Sequence, residues 1–393
     1  MMIRRPASHF ARVLSNGWGR ELYLTAAPTA VGSPGDQARD LYSALRAELI
    51  ASGARIFAER LFATQEAMAT IQDERRAALD DLDDGVSPTR VVVAPGRTGP
   101  FAGVQIHAVA GESPPTPLLL PGADGLACGR ELRTASGRWL TFSELTGGDG
   151  PPGEQARRMF DGCGRLLRQA GADMRSVVRT WLWLKDVCGW YADFNAIRTA
   201  FFERERLIHH GNGRPRLPAS TGIGLGVAGG AACALDLIAV PGAEDRIELL
   251  EAGGHQNSAF AYGSAFSRAA IAPTPGGRTL FVSGTAAIDA HGRTEHVGAP
   301  QRQIEATVAH VRALLTQAGC GDEHVLSAVA YCKTAEVEDA FRAGWASLTW
   351  PTVSVIGEVC RPELLFEVEL TAGVPTIRQS TLDAPAELPA VTL

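Results

Sequence analysis

Twelve residues near the end of the chain decide its fold: Val359-Cys360-Arg361-Pro362-Glu363-Leu364-Leu365-Phe366-Glu367-Val368-Glu369-Leu370. The last five residues alternate, with Phe366, Val368 and Leu370 on one side and two glutamates on the other. Apolar residues on one face at a period of two predict a half-buried β-strand. The acidic face either meets solvent, as on most strands, or lines a cleft that uses a carboxyl group.

Length and composition indicate a soluble protein of two or three domains. The chain has 393 residues, of which 45% are hydrophobic and 20% are charged, and its net charge is -6. This charge does not predict a nucleic-acid partner, and we expect no signal peptide and no membrane span. The seven cysteines are scattered without CxxC spacing. Their pattern argues against a disulfide framework or a zinc site and favours a reducing, cytoplasmic location.

Two long segments of the chain repeat each other. Residues 155–185 align with residues 303–333 at a constant spacing of 148, with Gln-Ala-Gly at the same place in both. Further on, Pro218-Ala219-Ser220 aligns with Pro351-Thr352-Val353 at a spacing of 133. Each copy reads strand, helix, strand, helix, strand, strand. The repeat therefore predicts α+β units built on one plan.

A weaker copy of the pattern precedes these two, with an amphipathic helix at Ala38–Ser52 that Gly53 closes. Residues 1–19 are expected to be an irregular lead-in, and Ser113–Gly125, rich in proline and glycine, to be a linker. Three units and a flexible tail are therefore predicted, with the bounds 1–125, 126–250, 251–375 and 376–393.

The order of the elements and their residues resembles the YjgF/RidA superfamily. The best matching pieces are Phe281-Val282-Ser283-Gly284, Val177 to Phe202, and Phe366 to Ala372. The resemblance implies a chorismate-mutase-like α+β fold that forms trimers, with sites in the clefts between subunits. Three units in one chain then imply a monomer that acts as a pseudo-trimer.

Within this superfamily the chain is similar to the chorismatases, which convert chorismate to pyruvate plus a dihydroxycyclohexadiene carboxylate or a hydroxybenzoate. The similarity is carried by Tyr262 to Ala269, by Ser283 to Asp289, and by Val359-Cys360-Arg361 running into Leu364 to Glu367. It implies an enzyme, a chorismate hydrolase, with chorismate as its small-molecule partner and no cofactor. The family's glutamate falls on Glu367.

Chorismate is a dianion that carries an enol ether. Its cleavage needs a proton on the enolpyruvyl methylene carbon, and water or a neighbouring hydroxyl group then captures the oxocarbenium ion. A carboxyl group in a dry cleft suits this step, because burial raises its pKa and keeps the proton available near neutral pH. Such a general acid is worth about 10²–10⁴ in rate. Glu367 is the candidate acid, and Glu369 either raises its pKa by repulsion or lies at the rim.

A dianionic substrate also needs cations, and arginine is the better fork for carboxylates. Arg179 shares a strand face with Trp181 and Trp183, and Arg198 lies about two helical turns after Tyr191 on the same face. For any one of these basic residues, a solvated surface charge is the alternative. The substrate-binding candidates are Arg179, Tyr191, Arg198, Tyr262, Phe266, Arg268, Ala269 and Lys333, and no metal site is predicted.

Cys360 is the second catalytic candidate. In the chorismatases a cysteine seven residues before the glutamate goes with the type that forms a hydroxybenzoate, and Cys360 has that spacing to Glu367. That type also goes with a glycine near Ala269, where this chain has alanine. The two markers disagree, and 3-hydroxybenzoate is the favoured product.

Two other functions stay open: an imine or enamine deaminase, and a non-catalytic protein that binds a small acid. Deaminating members carry an arginine two residues after the proline that opens the penultimate strand, and Ser220 and Val353 stand there in this chain. A deaminase would therefore lack its carboxylate clamp. Glu367 aligns with Ala234, which predicts one working site instead of three.

Overall fold

The computed structural model describes residues 7–16, 19–119, 127–208 and 214–375, which form three six-stranded sheets, each packed against helices. The strands are β1 (Ala7–Ser15), β2 (Arg20–Pro28), β3 (Arg55–Ala63), β4 (Thr89–Val92), β5 (Phe101–Ala110), β6 (Thr116–Leu119), β7 (Ala127–Thr134), β8 (Gly137–Thr146), β9 (Val177–Leu184), β10 (Ala219–Ile223), β11 (Gly226–Val227), β12 (Cys233–Ala239), β13 (Glu248–Leu250), β14 (Ala269–Thr274), β15 (Gly277–Ala286), β16 (Val325–Cys332), β17 (Thr352–Ile356) and β18 (Phe366–Gly373). The α-helices are α1 (Pro34–Ser52), α2 (Gln65–Leu79), α3 (Pro152–Gln169), α4 (Val187–Arg204), α5 (Pro300–Gln317) and α6 (Ala335–Gly344).

The three sheets share one strand order. They run β4-β3-β5-β2-β1, then β10-β9-β12-β8-β7-β6, then β17-β16-β18-β15-β14-β13, and β11 extends the first sheet beside β4. In each sheet the strands before and after the second helix pair in parallel, and the other pairs are antiparallel. The predicted α+β class and its plan of three repeated units are confirmed.

Strand register confirms the alignment of the second and third units. Trp181 lies opposite Asp236 on β9 and β12, and Val329 lies opposite Glu369 on β16 and β18. Trp181 and Val329 are 148 residues apart, and Asp236 and Glu369 are 133 residues apart, which are the two spacings that align the sequences. The same ladder position is therefore filled by an aspartate in the second unit and by a glutamate in the third.

Two segments that were expected to be irregular form strands. β1 covers much of the predicted lead-in 1–19 and pairs with β2 from Ala7 to Ser15, and β6 lies inside the predicted linker Ser113–Gly125. Both are edge strands whose described side chains are mostly exposed. They therefore lack the apolar alternation that marks a buried strand in a sequence.

Sheet membership bears on the bounds of the units. β6 pairs with β7 of the second sheet, and β13 pairs with β14 of the third. β11, which lies in a glycine-rich run of the second unit, pairs with β4 of the first sheet. The bounds 1–125, 126–250 and 251–375 remain a proposal, and the predicted tail at 376–393 lies outside the described residues.

The apolar core has two kinds of layer. One cluster lies between the three sheets and takes side chains from all of them, including Phe62, Trp183 and Tyr331. Three further clusters lie between each sheet and its own helices. Full burial of a large apolar side chain contributes about 1.5–3 kcal/mol. Because both faces of each sheet are covered, any polar side chain on an inner face is removed from bulk water.

The first helix shows how local signals set its ends. The hydroxyl of Ser33 accepts a hydrogen bond from the backbone N–H of Asp36, and Pro34 occupies the first turn. At the other end Gly53 adopts a left-handed φ of 64°. The helix therefore starts four residues before the predicted Ala38 and ends where predicted. No helix within the described ranges is long and apolar enough to span a membrane.

Candidate active site

The two glutamates of β18 face the space between the sheets. The exposed fractions of Glu367 and Glu369 are 4% and 3%. Phe366, Val368 and Leu370 point to the opposite side, where they pack in the apolar cluster beneath the helices of the third unit. Both faces of the strand are buried, so the solvent-facing alternative for the two acids is wrong.

Glu367 has room for its carboxyl group because β15 carries a glycine beside it. The pairing of β15 with β18 shifts between Val282 and Thr285, which brings Gly284 against the acid. A Cβ atom at Gly284 would lie 2.0 Å from Oε1 of Glu367 and 3.0 Å from a methyl group of Thr221. Only glycine fits this close approach.

A cavity between the second and third sheets includes Glu367 in its wall. Seven of the ten predicted site residues line it, from α4, from β18 and from the segments that precede β14 and β18: Tyr191, Arg198, Tyr262, Phe266, Arg268, Cys360 and Glu367. The cavity measures about 30 Å³, which is room for about two water molecules.

Sequence reasoning missed the other residues of the wall. Most of them are small or apolar, and Arg361 is the one that carries a charge. The missed wall residues are Ser220, Gly222, Ser264, Gly284, Ala286, Ile288 and Arg361. Arg361 follows the candidate Cys360 in the stretch from which the sequence argument began, so its position next to a site residue was the available signal.

Arg198 extends from α4 into the wall and is 1% exposed. One terminal nitrogen donates to Oδ1 of Asn195 at 2.7 Å, while Nε has no hydrogen-bond partner. Its guanidinium lies 5.9 Å from the ring centre of Phe266 and interacts with the hydroxyl of Tyr191, as the helical spacing predicted. Burial raises the pKa of Tyr191 and lowers that of Arg198.

Arg268 is equally buried and is held by two partners. It donates to the carbonyl oxygen of Asn257 at 3.1 and 3.0 Å and to the hydroxyl of Tyr262 at 2.7 Å. Its guanidinium also lies 5.7 Å from the ring centre of Phe266. The Phe266 ring therefore lies close to both buried arginines.

The three arginines of the cavity have no carboxylate partner within the described ranges. Arg198 and Arg268 bond only neutral groups, and Arg361 donates to the carbonyl oxygen of Gly292 at 2.5 Å. Elsewhere in the described residues buried arginines such as Arg75 are paired with acids. A set of unpaired, partly dehydrated cations is costly unless an anionic ligand completes it.

Arg179 does not line the cavity, although it lies directly behind it. It donates to Oε2 of Glu369 at 2.7 Å and to the hydroxyl of Thr221 at 2.6 Å. Its guanidinium stacks on one face of Trp181 at 4.5 Å, and Arg60 of the first unit stacks at 4.2 Å on the same ring. The predicted neighbourhood of Arg179 and tryptophan is confirmed, and the partner of Arg179 in the structure is a protein carboxylate.

Glu369 is the charged member of the acid pair. Oε1 accepts from Arg60 at 2.9 Å and from the indole nitrogen of Trp181 at 2.7 Å. Burial would raise the pKa of Glu369, but the charges of Arg179 and Arg60 outweigh this effect, so the pKa is lowered. The carboxyl group is therefore ionised near neutral pH.

Glu367 is the neutral member of the pair. Burial, aided by the negative charge of Glu369, raises its pKa to about 8 against the opposing charges of Arg179 and Arg268. No hydrogen bond joins its carboxyl group to another described residue. At neutral pH the side chain thus holds a proton that faces the cavity.

Cys360 also lines the cavity, and burial together with the Glu367 carboxyl raises the pKa of its thiol to about 12. A thiol that keeps its proton near neutral pH is a poor nucleophile. Cys360 is therefore placed to shape the site or to donate a weak hydrogen bond.

Ala269 and Lys333, the other two predicted binding residues, lie away from the cavity wall. Ala269 starts β14 opposite Val282 and packs in the core of the third unit. Lys333 donates from Nζ to the carbonyl oxygen of Pro362 at 2.6 Å and so holds the segment before β18. Across the described residues no group of three or more His, Cys, Asp or Glu side chains is placed to hold a metal ion.

Comparison with known proteins gives a result at the level of structure. No family model matches the chain, and no curated protein matches it. A chorismatase crystal structure superposes with a TM-score of 0.58, covering 93% of this chain and 99% of that chain at 17% sequence identity. The chain therefore has the fold of that chorismatase.

Smaller solved proteins match about one third of the chain. A YjgF-family protein from Neisseria meningitidis covers 33% of this chain and 96% of its own, with a TM-score of 0.26 and 21% identity. A Rid-family protein of unknown function from Yersinia pestis covers 33% of this chain and 99% of its own, with a TM-score of 0.27 and 18% identity.

Proposed function

We propose that the protein is a chorismatase-like enzyme, which releases pyruvate from chorismate with Glu367 as the proton donor. One observation carries this proposal: the buried carboxyl group of Glu367, which has no hydrogen-bond partner among the described residues, faces a cavity whose other charged groups are arginines. Its raised pKa, about 8, agrees with a role as proton donor. The fold shared with a chorismatase supports the same proposal.

The reaction begins when Glu367 transfers its proton to the methylene carbon of the enolpyruvyl group. The electron pair of the C=C bond forms the new C–H bond, and the ether oxygen stabilises the resulting oxocarbenium ion. Glu367 is left as a carboxylate, which the nearby charges of Arg179 and Arg268 stabilise. This stabilisation is largest after the proton has left, so it favours the transition state over the ground state.

Two captures of the cation lead to two products. Addition of water gives a hemiketal that breaks down to pyruvate and a dihydroxycyclohexadiene carboxylate. Capture by a neighbouring ring hydroxyl leads to pyruvate and a hydroxybenzoate, which together contain the atoms of chorismate without added water. We favour 3-hydroxybenzoate because Cys360, the residue that goes with this product in the resembled family, lies in the cavity wall.

The cavity offers three arginines to a dianionic substrate. Arg198 and Arg268 are each 1% exposed and have donors directed at neutral groups only. A carboxylate that accepts hydrogen bonds from these two arginines would take the place of the hydration that they lose on burial. Tyr191 and Tyr262 then flank the ring.

The alternatives receive less support. A deaminase would need a carboxylate clamp at Ser220, which is a cavity residue without charge, and Arg179 behind it is committed to Glu369. A protein that only binds a small acid would not need a buried, unbonded carboxyl group, which weakens anion binding once it ionises. The neutral state of Glu367 is useful chiefly for giving up a proton.

The test is incubation of the purified protein with chorismate at pH 7, with pyruvate followed through NADH oxidation by lactate dehydrogenase. Liquid chromatography of the ring product distinguishes 3-hydroxybenzoate from the cyclohexadiene diol. Steady pyruvate release above the spontaneous rate is expected. No release above that rate rules out the proposed function.

A further inference from the structure

Arg361 lies on a segment whose backbone is fixed at several points. Residues 357–365 connect β17 to β18, and Lys333 holds this connection through the carbonyl oxygen of Pro362. The side chain of Gln303 on α5 spans the same segment, donating to the carbonyl of Glu363 at 2.9 Å and accepting from the N–H of Leu365 at 2.8 Å. The guanidinium of Arg361 therefore extends from a rigid base.

The guanidinium itself has spare donors. One terminal nitrogen donates to the carbonyl oxygen of Gly292 at 2.5 Å, and the group lies 5.7 Å from the ring centre of Tyr262. Of its five N–H groups, no other has a hydrogen-bond partner among the described residues. No described acid forms an ion pair with it, although the residue is half-buried and lines the cavity.

Position separates Arg361 from the other two cations. Arg198 and Arg268 are 1% exposed, whereas Arg361 keeps contact with solvent. The ring centre of Tyr262 lies 5.5 Å from the guanidinium of Arg268 and 5.7 Å from that of Arg361. Arg361 and Tyr262 therefore form the outer wall, where a ligand would enter.

We propose that Arg361 is a substrate-binding residue that clamps one carboxylate of a dianionic substrate at the outer end of the cavity. The buried arginines receive the other carboxylate, so that the three cations set a preference for two carboxylates over one. This inference rests on the proposed function for the identity of the substrate. It adds the residue that selects the dianion.

The removal of this clamp should act on binding and spare the proton transfer. Arg361→Met is expected to raise the KM for chorismate by roughly 10- to 100-fold, the usual loss for a charge-assisted hydrogen bond, with kcat changed less than about threefold. Arg361→Lys keeps the charge, so its KM for chorismate should lie between that of wild type and that of Arg361→Met. Arg302→Met, an exposed arginine at the start of α5, is the matched control and should behave as wild type.

A binding measurement separates this inference from the proposed function. The probe is 3-(carboxymethoxy)benzoate, a stable aryl ether with two carboxylates, together with its two monomethyl esters, measured by titration calorimetry. Wild type should prefer the diacid. In Arg361→Met one of the two esters should bind as well as it does to wild type, because its missing carboxylate is the one that Arg361 holds.

Each result has a meaning of its own. If wild type binds the diacid but releases no pyruvate from chorismate, the proposed function fails and the clamp stands. If both esters lose the same affinity in Arg361→Met, or if wild type does not bind the diacid, the clamp is overturned. A fall in kcat equal to the rise in KM, with a lower melting temperature, would assign Arg361 to support of the Gly292 turn and also overturn it.

Discussion

Replacement of Glu367 by glutamine should remove activity and at the same time stabilise the protein. Glutamine keeps the shape of the side chain but has no proton to give, so pyruvate release should fall by about 10²–10⁴. The wild-type rate should also fall above about pH 8, where Glu367 loses its proton. The variant should be more stable because the buried carboxyl group of wild-type Glu367 is costly to ionise, whereas glutamine does not ionise.

The size of that gain can be worked out from the pKa of Glu367. The usual pKa of a glutamate is 4.5, and the folded protein raises it to about 8. Below pH 4.5 the group is protonated in both states, and its contribution to stability is fully present. As the pH rises towards 8, only the unfolded chain ionises, so the wild type loses about 1.4 kcal/mol per pH unit. The loss is roughly 3 kcal/mol at pH 7 and between 4 and 5 kcal/mol at pH 8.5.

Urea unfolding of both proteins at pH 5, 7 and 8.5 measures this difference. Glu367→Gln should exceed wild type by about 1 kcal/mol at pH 5, with the difference growing at the two higher values. Glu363→Gln, which changes an exposed glutamate four residues earlier, is the control and should track wild type at each pH. A difference that stays flat with pH, or unchanged turnover in Glu367→Gln, would refute the reasoning.

Two further substitutions test what surrounds the acid. Glu369→Gln removes the negative neighbour, so the pKa of Glu367 should fall and the alkaline limb of the pH–rate profile should move to lower pH. The free energy of unfolding in urea should also drop by about 3–5 kcal/mol, because buried Arg179 and half-buried Arg60 lose their partner. An alkaline limb that moves to higher pH would contradict the repulsion. Gly284→Ala places a methyl group 2.0 Å from the carboxyl oxygen and should lower pyruvate release about 10²-fold. Gly344→Ala, with no atom within 4 Å of the new Cβ, should leave the rate unchanged, and equal rates in both variants would contradict the close approach.

The fold could be predicted from the sequence because its second and third units still align. Periodicity identified the buried elements, and the two spacings of 148 and 133 matched the ladder positions of Asp236 and Glu369. Edge strands such as β1 were not predicted, because exposed strands do not require apolar alternation. The pairing of β11 with the first sheet was not predicted, because a two-residue strand carries no periodic signal.

The site was predictable in its chemistry and less so in its geometry. Alternation put Glu367 and Glu369 on one face of β18, and the family resemblance selected Glu367. Helical spacing put Tyr191 and Arg198 on one face of α4, and these two residues line the cavity together with Glu367. What a sequence does not encode locally is which buried charges meet. Arg179 was expected to contact substrate, but it is paired with Glu369 across the boundary between two sheets, a contact that only the packing of the units defines.

Glu367 has no acidic counterpart at the matching ladder positions of the other two units. The ladder positions that correspond to Glu367 hold Ala234 opposite Trp183 in the second unit and Gly103 opposite Phe62 in the first. Neither has a carboxyl group, although an aromatic residue of the same apolar cluster lies opposite each of the three positions: Phe62, Trp183 and Tyr331.

The second unit has an acid, Asp236, at the position of Glu369 but none at the position of Glu367. Asp236 accepts from Thr89 of the first unit and from Trp183, and burial raises its pKa to about 6. Its role there is to fill a buried polar position.

The first unit has no acid at the Glu367 position, yet it supplies Arg60 to Glu369. Burial contributes most to the raised pKa of Glu367, and the charge of Glu369 raises it further. Arg60 helps to keep Glu369 ionised, so a residue more than three hundred positions earlier takes part in the chemistry of the third unit. Fusion of the three units in one chain lets each diverge to a different part of one site. Identical subunits of a symmetric trimer would have to carry all of these residues together.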